Sequence, residues 1–132
     1  MTARTGSRLE RVKRHNAAAW PVVRAIEQVG TPWRLNVVYA LRAGEQRYSE
    51  IKRSTGARPK TLSDALDELL AAGVVDRRTE EDAPVAVYYS LTPKGEELCD
   101  VLAQLSDWAQ RWDEADGTET DEPPRRRDGD AG

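Results

Sequence analysis

The chain has 132 residues, which is enough for one domain around a single hydrophobic core. Charged residues make up 33% of it, and no apolar run approaches the roughly 20 residues that span a bilayer. One cysteine, Cys99, excludes an internal disulfide, and one histidine, His15, leaves no His/Cys cluster for zinc. We therefore expect a cytoplasmic protein with no membrane association, no metal site and no cofactor.

The net charge of −3 hides a strong asymmetry along the chain. Residues 1–15 hold five basic side chains and one acidic one, whereas residues 80–132 hold five basic and fifteen acidic ones. The segment between them holds ten basic and seven acidic side chains. A surface that binds nucleic acid needs local positive charge rather than a positive total. The first two-thirds of the chain can supply that charge, and the acidic third must face elsewhere.

The first elements in chain order are an arm, two helices and a short strand. Residues 1–16 are basic and polar, and they predict a flexible N-terminal arm. Apolar residues at helical spacing predict a helix within 17–30. Thr31 with the proline after it predicts the start of a second helix, because threonine caps the helix and proline suits its first position. This helix should end at Gly44. Residues 45–48 predict a short strand that pairs with a later hairpin.

Two further predicted helices form a helix-turn-helix. Ser49 is the predicted N-cap of a short helix over 50–54, and the turn follows at once. Pro59 starts the next helix, and Gly73 ends it. The apolar residues of this helix recur at spacings of three and four, which predicts one buried face. They are Leu62, Ala65, Leu66, Leu69 and Leu70.

A β-hairpin and a last helix complete the predicted domain. Strands over 74–79 and 85–91 are joined by an acidic connection. Thr92 with its following proline repeats the helix-start signal. Residues 116–132 are rich in Gly, Thr, Pro and charge without periodicity, which predicts a disordered tail. The domain is therefore predicted to cover 17–115.

A helix-turn-helix followed at once by a two-stranded hairpin is the winged-helix plan, which places one helix in the DNA major groove. The expected fold class is α+β, mainly α, with a β-hairpin wing and flanking dimerisation helices. Basic side chains around the recognition helix, and the first turns of that helix, should face DNA. The predicted DNA-binding residues are Ser49, Lys52, Arg58, Lys60, Thr61, Ser63, Asp64, Arg77 and Arg78. For Arg47, Lys52, Arg53, Arg77 and Arg78, phosphate contacts and local ion pairs are equal alternatives, with Arg77 a candidate brace of the hairpin.

The last helix carries more apolar bulk than its own core requires. Two tryptophans and four aliphatic residues follow one stripe, and aromatic residues are enriched at protein interfaces. We therefore expect a homodimer. The predicted interface residues are Trp20, Leu98, Val101, Leu102, Leu105, Trp108 and Trp112. Cys99, on the flank of this stripe, is expected to be a structural side chain without a redox role, because no basic pair would lower its pKa.

Several segments, taken in order, resemble one family. They are Arg47-Tyr48-Ser49-Glu50-Ile51, Pro59-Lys60-Thr61-Leu62, Gly73-Val74-Val75-Asp76-Arg77, and Tyr89 to Gly95, with Trp33 before them and Trp108 after them. Their order and spacing are similar to those of the HxlR-type winged helix-turn-helix transcriptional regulators, over about residues 20–112. The resemblance implies a homodimer joined through terminal helices, and double-stranded DNA as the partner. It also implies a small-molecule effector of unknown identity, because such families often respond to electrophiles, oxidants or small aromatic molecules.

Three positions depart from the family pattern. Many members carry a Cys-Pro pair before the first core helix, and this chain has Trp20 there, which excludes a thiol sensor at that position. Arg58 stands where the family often has serine, which removes a side-chain cap and adds a candidate phosphate or base contact. Ala86 replaces a basic residue of the return strand. With an acidic wing tip, the wing is expected to contact phosphate weakly.

The sequence offers no parts for an enzyme, since it has no Gly-rich phosphate loop and no nucleophile paired with a base. The predicted function is a sequence-specific regulator of transcription that binds double-stranded DNA as a homodimer. The alternative is a winged-helix module for protein association without specific DNA binding, in which the acidic wing and tail serve a partner.

Overall fold

The computed structural model describes residues 2–82 and 85–116, with side-chain surroundings for 8–82 and 85–113. Six helices, one 3-10 turn and three strands follow one another along this part of the chain. The helices are α1 (Thr2–His15), α2 (Trp20–Val29), α3 (Pro32–Leu41), α4 (Tyr48–Thr55), α5 (Pro59–Ala71) and α6 (Pro93–Asp116). The 3-10 turn covers Ala17–Ala19, and the strands are β1 (Gln46–Arg47), β2 (Val75–Glu80) and β3 (Ala86–Leu91).

The three strands form one antiparallel sheet in the order β1-β3-β2. In this sheet Arg47 lies opposite Tyr88, and Arg78 lies opposite Tyr88 on its other side. The prediction of a short strand that pairs with the hairpin is confirmed, and so is the fold class of a mainly helical protein with a hairpin wing. β1 is limited to two residues, because the chain enters α4 directly after it.

Proline and threonine set two of the helix starts, as expected. The backbone N–H of Arg34 donates to Thr31 Oγ1 at 3.2 Å, which caps α3. The N–H of Gly95 donates to Thr92 Oγ at 3.1 Å, which caps α6 in the same way.

The expectation that Ser49 caps the short helix is wrong. The helix α4 begins one residue earlier, at Tyr48, with Arg47 in the N-cap position. Glu50 supplies the stabilising contact instead: its Oε1 accepts from the backbone N–H of Arg47 at 2.8 Å. A carboxylate in the first turn also interacts favourably with the positive end of the helix, so Ser49 is left as an ordinary exposed residue of that turn.

The predicted N-terminal arm and C-terminal tail lie at the two ends of the residues that the structure describes. The segment predicted as a flexible arm contains α1, which packs beside the 3-10 turn and α2. Its flexibility and the domain limits 17–115 stay predictions. Apart from Asp116, the tail predicted over 116–132 lies outside the described residues.

The core lies between α3, α4, α5 and the start of β2. Its fully buried side chains are Val37, Val38, Leu41, Ile51, Leu62, Leu66, Leu69, Val74 and Val75. The apolar face predicted for α5 is therefore confirmed as the face that fills the core. No charged or polar side chain is buried among the described residues, so burial of apolar area is the main source of stability there.

A junction at the end of α5 ties four elements together. Gly73 adopts φ +75°, and the N–H groups of Gly73 and Val74 donate to the carbonyls of Leu70 and Leu69, both at 3.0 Å. These two bonds are the Schellman motif, which ends a helix where glycine adopts the left-handed conformation. From the other side, Thr92 Oγ1 donates to the Gly73 carbonyl at 2.7 Å, and the Thr92 N–H donates to the Val74 carbonyl at 3.0 Å.

No helix in the described ranges is long and apolar enough to cross a membrane. Within the same ranges, no group of three or more His, Cys, Asp or Glu side chains is placed to hold a metal ion.

The first prediction concerns Gly95 in this junction. A Cβ at Gly95 would overlap the carbonyl oxygen of Val74 and press on the side chains of Leu91 and Val74. We expect Gly95→Ala to lower the free energy of unfolding by about 1–3 kcal/mol, which is typical of an overpacked site. Chemical denaturation would measure the change, with Glu97→Ala on the exposed side of the same helix as the control. Equal stability of Gly95→Ala and Glu97→Ala would contradict this packing argument.

Candidate nucleic-acid interface

The turn between α4 and α5 is fixed by hydrogen bonds from both sides. Gly56 adopts φ +75°, a conformation that glycine accepts without strain. Thr55 Oγ1 donates to the Ile51 carbonyl at 2.8 Å and accepts from the Ala57 N–H at 3.2 Å. Asn36 of α3 donates its side-chain amide to the Thr55 carbonyl at 3.3 Å. The helix-turn-helix is therefore held to α3 as well as closed on itself.

The first turn of α5 is open to solvent. Arg58 occupies the N-cap position, is exposed, and makes no side-chain capping bond. The loss of a side-chain cap expected at this position is therefore seen in the structure. Lys60 has 85% of its side chain exposed and pairs with Asp64 at 3.2 Å. An exposed pair of this kind is worth only a few tenths of a kcal/mol, so Lys60 can exchange Asp64 for another anion at little cost.

Thr61 and Ser63 lie on the flanks of α5 rather than on its outer face. Thr61 is half-buried and lines an open groove of about 370 Å³ beside Trp33. Ser63 faces the other flank, where its Oγ lies 3.3 Å from Tyr48 Oη. Ser63 is exposed and Thr61 is half-buried, so the DNA contacts predicted for both residues stay predictions.

Basic side chains border the recognition helix on the side of α4. Lys52, Arg53 and Ser49 are exposed around an open depression at the turn. Among the described side chains, neither Lys52 nor Arg53 forms an ion pair within 4.0 Å. Arg77 on β2 is exposed and likewise has no ion pair in this set. These cations are available to an anionic partner.

Arg78, and not Arg77, is the brace of the hairpin. Its guanidinium makes two hydrogen bonds to the Glu45 carboxylate at 2.9 and 3.0 Å and one to Glu80 at 3.2 Å. It also lies over the Tyr88 ring, 4.5 Å from the centroid. The hydrogen bonds from Arg78 lower the pKa of Glu45, and those to Glu45 and Glu80 raise the pKa of Arg78. The expectation that Arg77 braces the wing is wrong.

The acidic wing tip begins at Glu80, two residues after Arg78. Glu80, Glu81 and Asp82 are exposed, so the described part of the tip presents negative charge to solvent. Ala86, at the position where the family pattern has a basic residue, is buried against the sheet. Together with the paired state of Arg78, this leaves Arg77 as the free cation among the described residues of the wing.

Sequence reasoning missed Tyr48, Glu45 and Arg34 as residues that shape this surface. Arg34 donates to the carbonyls of Glu27 and Gln28 at 3.2 and 2.9 Å, and it lies 4.0 Å from Glu68 of α5. It thereby ties the end of α2 to the recognition helix. The sequence holds one weak indication of these contacts: an acidic residue, Glu45, precedes the two arginines of the hairpin.

Comparison with known proteins identifies the architecture. The sequence matches the HxlR-like helix-turn-helix family over residues 28–117. The chain belongs to this family. The HTH-type transcriptional regulator YvaP of Bacillus subtilis (strain 168) is 37% identical over 90 residues, which are 67% of this chain and 83% of that protein. The HTH-type transcriptional regulator YtfH of Escherichia coli (strain K12) is 33% identical over 91 residues, 68% of this chain and 72% of that protein.

Solved structures of such regulators share the fold. A transcriptional regulator of the MarR family from Enterococcus faecalis V583 superposes with a TM-score of 0.69 at 28% identity, covering 74% of this chain and 89% of that one. The reduced form of YodB from B. subtilis gives a TM-score of 0.63 at 30% identity, covering 67% of this chain and 87% of that one. The family and these relatives are transcriptional regulators rather than enzymes, so this HxlR-like protein is a winged-helix regulator of transcription.

The apolar stripe of α6 divides into two parts in this HxlR-like chain. Leu98 and Leu102 are half-buried against the protein's own core. The remaining predicted interface residues of α6 are more than half exposed: Val101 59%, Leu105 52%, Trp108 54% and Trp112 53%. Val22 and Ile26 of α2 are equally exposed. Trp20 is half-buried, with Lys13 Nζ 5.8 Å from its ring centroid.

Cys99 is half-buried beside the turn that precedes β1. It lines an open depression of about 310 Å³ with Arg42, Glu45 and Glu96. Burial raises the pKa of the Cys99 thiol, Arg42 opposes this effect, and Asp100 and Glu96 add to it. A raised pKa lowers the fraction of thiolate, which is the reactive form.

The second prediction concerns this thiol. Because its pKa is raised, Cys99 in the folded protein should react with a neutral disulfide reagent more slowly than free cysteine at the same pH. The rate of thiol labelling measures this directly, and the protein unfolded in denaturant serves as the control that should label at the ordinary rate. Labelling of the native protein faster than free cysteine would show that Cys99 is an activated thiol.

Proposed function

We propose that this HxlR-like regulator is a cytoplasmic homodimer that binds a specific double-stranded DNA sequence and inserts the first turn of α5 into the major groove. The observation that carries the proposal is the open start of α5. Arg58, the N-cap residue, is exposed and makes no side-chain capping bond, and the side chain of Lys60 is 85% exposed. Both residues lie at the N-terminal end of α5, the helix that follows the turn. Recognition helices contact base edges mainly through their N-terminal residues.

The distribution of charge along α5 supports the same orientation. Its start carries Arg58 and Lys60, whereas its later turns expose Asp64, Asp67 and Glu68. Phosphates would be repelled by the acidic turns and attracted by the basic start. Asp64 can accept a hydrogen bond from the amino group of cytosine, whereas Arg58 can donate two bonds to guanine.

Phosphate contacts are assigned to α4 and to Arg77. Lys52, Arg53 and Arg77 are exposed and free of intramolecular ion pairs in the described set. Such contacts fix the position of the protein on the duplex, and each one adds about one unit to the salt dependence of binding. The acidic tip of the wing and the paired Arg78 leave the wing a small share of these contacts.

The homodimer is supported by the exposed apolar residues of α2 and α6. Six large apolar side chains, each more than half exposed, lie on these two helices. A cluster of exposed apolar side chains on a monomer marks an interaction site. A second copy would also supply the second recognition helix that a two-fold symmetric DNA site requires.

The third prediction tests the recognition helix. A preferred sequence is first selected from random double-stranded DNA, and affinities for it are then measured by fluorescence anisotropy. Arg58→Ala and Lys60→Ala should each weaken specific binding by about 1–3 kcal/mol if they touch bases. They should reduce the salt slope by about one if they touch phosphate. Stability should change little, since both side chains are exposed.

The control for this experiment is Arg126→Ala, which removes an arginine from a run flanked by acidic residues and should change little. A folded Arg58/Lys60 double variant that binds the selected DNA as well as wild type would exclude α5 as the reading helix. If the selection from random DNA enriches no sequence, the result would favour the alternative function, a winged-helix module for protein association.

The fourth prediction tests the dimer. Leu105→Glu and Trp108→Glu place a charge in the centre of the proposed interface, where an unpaired charge is costly. Both variants should sediment as monomers at concentrations on the order of 10 μM, at which we expect the wild type to be dimeric. Gln110→Glu adds the same charge to an exposed position on the opposite side of α6 from these residues and should stay dimeric. A monomeric wild type would rule out the proposed assembly.

A further inference from the structure

The hydroxyl of Tyr48 joins the two helices of the helix-turn-helix. Tyr48 Oη donates to the carbonyl oxygen of Pro59 at 3.2 Å. It also lies 3.3 Å from Ser63 Oγ. Because the phenol has one hydrogen, its donation to Pro59 leaves the Ser63 hydroxyl as the donor in the second bond. A single oxygen therefore contacts both ends of the first turn of α5.

The positions of Pro59 and Ser63 allow this contact to hold the first turn of α5 in place. Pro59 is the first residue of α5, and Ser63 lies one turn later. The N-cap residue Arg58 makes no side-chain bond to this turn. Tyr48 itself is the first residue of α4, and its ring is partly buried against the core. The hydroxyl thus connects a fixed aromatic ring to the turn that the proposed function places against bases.

We propose that Tyr48 is a positioning residue for DNA recognition, which sets the angle of the first turn of α5, and that Ser63 acts as its partner rather than as a reader of bases. This inference rests on the proposed function of α5. Tyr48 carries no charge and has no need to touch DNA. Its contribution should therefore appear in specific binding, where base contacts must align, and not in the electrostatic attraction to phosphate.

The experiment uses the full chain and the DNA selected for it. Tyr48→Phe removes the hydroxyl and keeps the ring in place. We expect it to weaken binding to the selected site by about two- to tenfold, the range typical of one hydrogen bond. Binding to a random duplex and the salt slope should stay unchanged. Tyr39→Phe is the matched control, because its hydroxyl makes no hydrogen bond among the described residues and its ring packs on Arg42.

Ser63 variants complete the test. Ser63→Ala should weaken specific binding by no more than Tyr48→Phe does, because it leaves the bond from Tyr48 to Pro59, and the double variant should bind as Tyr48→Phe does, since the contact of Ser63 is already lost there. Ser63→Thr keeps a hydroxyl and should restore binding. Additive losses in the double variant would overturn the proposal, because they would mean that Ser63 contacts DNA independently of Tyr48. Wild-type affinity of Tyr48→Phe for the selected site would overturn it as well.

Amide hydrogen exchange separates this proposal from the function on which it rests. In Tyr48→Phe without DNA, the amides of the first two turns of α5 should exchange faster than in wild type, while those of α3 should not. Unchanged exchange in α5 would refute the positioning role even if wild type binds DNA. Failure of wild type to select any DNA, with faster exchange in the variant, would instead refute the DNA-binding function and leave the contact itself established.

Discussion

The bonds between Thr92 and the carbonyls of Gly73 and Val74 are the constraint on which the arrangement of this protein depends. Gly73 ends the recognition helix, Val74 leads into the first strand of the wing, and Thr92 stands between the second strand and α6. One threonine side chain, donating at 2.7 Å, therefore fixes the start of the wing, the end of α5 and the start of α6 together. Gly95 completes this junction because a larger residue would collide with the Val74 carbonyl. The helix proposed to enter the groove, α5, and the helix proposed for dimerisation, α6, meet here, so the spacing of the two copies of α5 in a dimer would be determined at this point.

Around α5 and the wing, the exposed cations of the described residues lie together in one region. The described part of the wing tip is acidic, and its nearest arginine is held by Glu45 and Glu80. The later turns of α5 are acidic too. The exposed positive charge around these elements therefore lies at the start of α5, on the surface of α4 and at Arg77. Because opposite charges lie so close to the basic region, a duplex docked in another orientation would meet carboxylates. If α5 enters the groove as proposed, these carboxylates would therefore favour one orientation of the protein on the duplex.

Much of the fold could be predicted because its signals are local. Thr31 and Thr92, each followed by proline, predict helix starts, and Gly73 predicts a helix end. These boundaries depend on only a few adjacent residues. The errors concern contacts between residues distant in sequence. Glu45 and Arg78 are 33 residues apart, and nothing in the spacing of charges distinguishes Arg78 from Arg77 as the brace. The spacing within α5 cannot reveal the contact of Ser63 with Tyr48, because Tyr48 belongs to another helix. The error at Ser49 is a local one: Glu50 accepts from the Arg47 N–H, so the helix begins at Tyr48 rather than after Ser49. The predicted DNA contacts themselves remain predictions.

The placement of the tryptophans gives the protein a built-in optical reporter. The chain has four tryptophans and no phenylalanine, and none of the four lies in α4, α5 or the wing. Trp108 and Trp112 are about half exposed on α6, whereas Trp33 borders the groove beside Thr61 of α5. Indole emission moves to shorter wavelength when water is removed from around the ring. Association through α6 would therefore shift the emission of two indoles, while an event at the recognition helix would reach only Trp33. Single-tryptophan variants would let the two events be followed separately in one unlabelled sample.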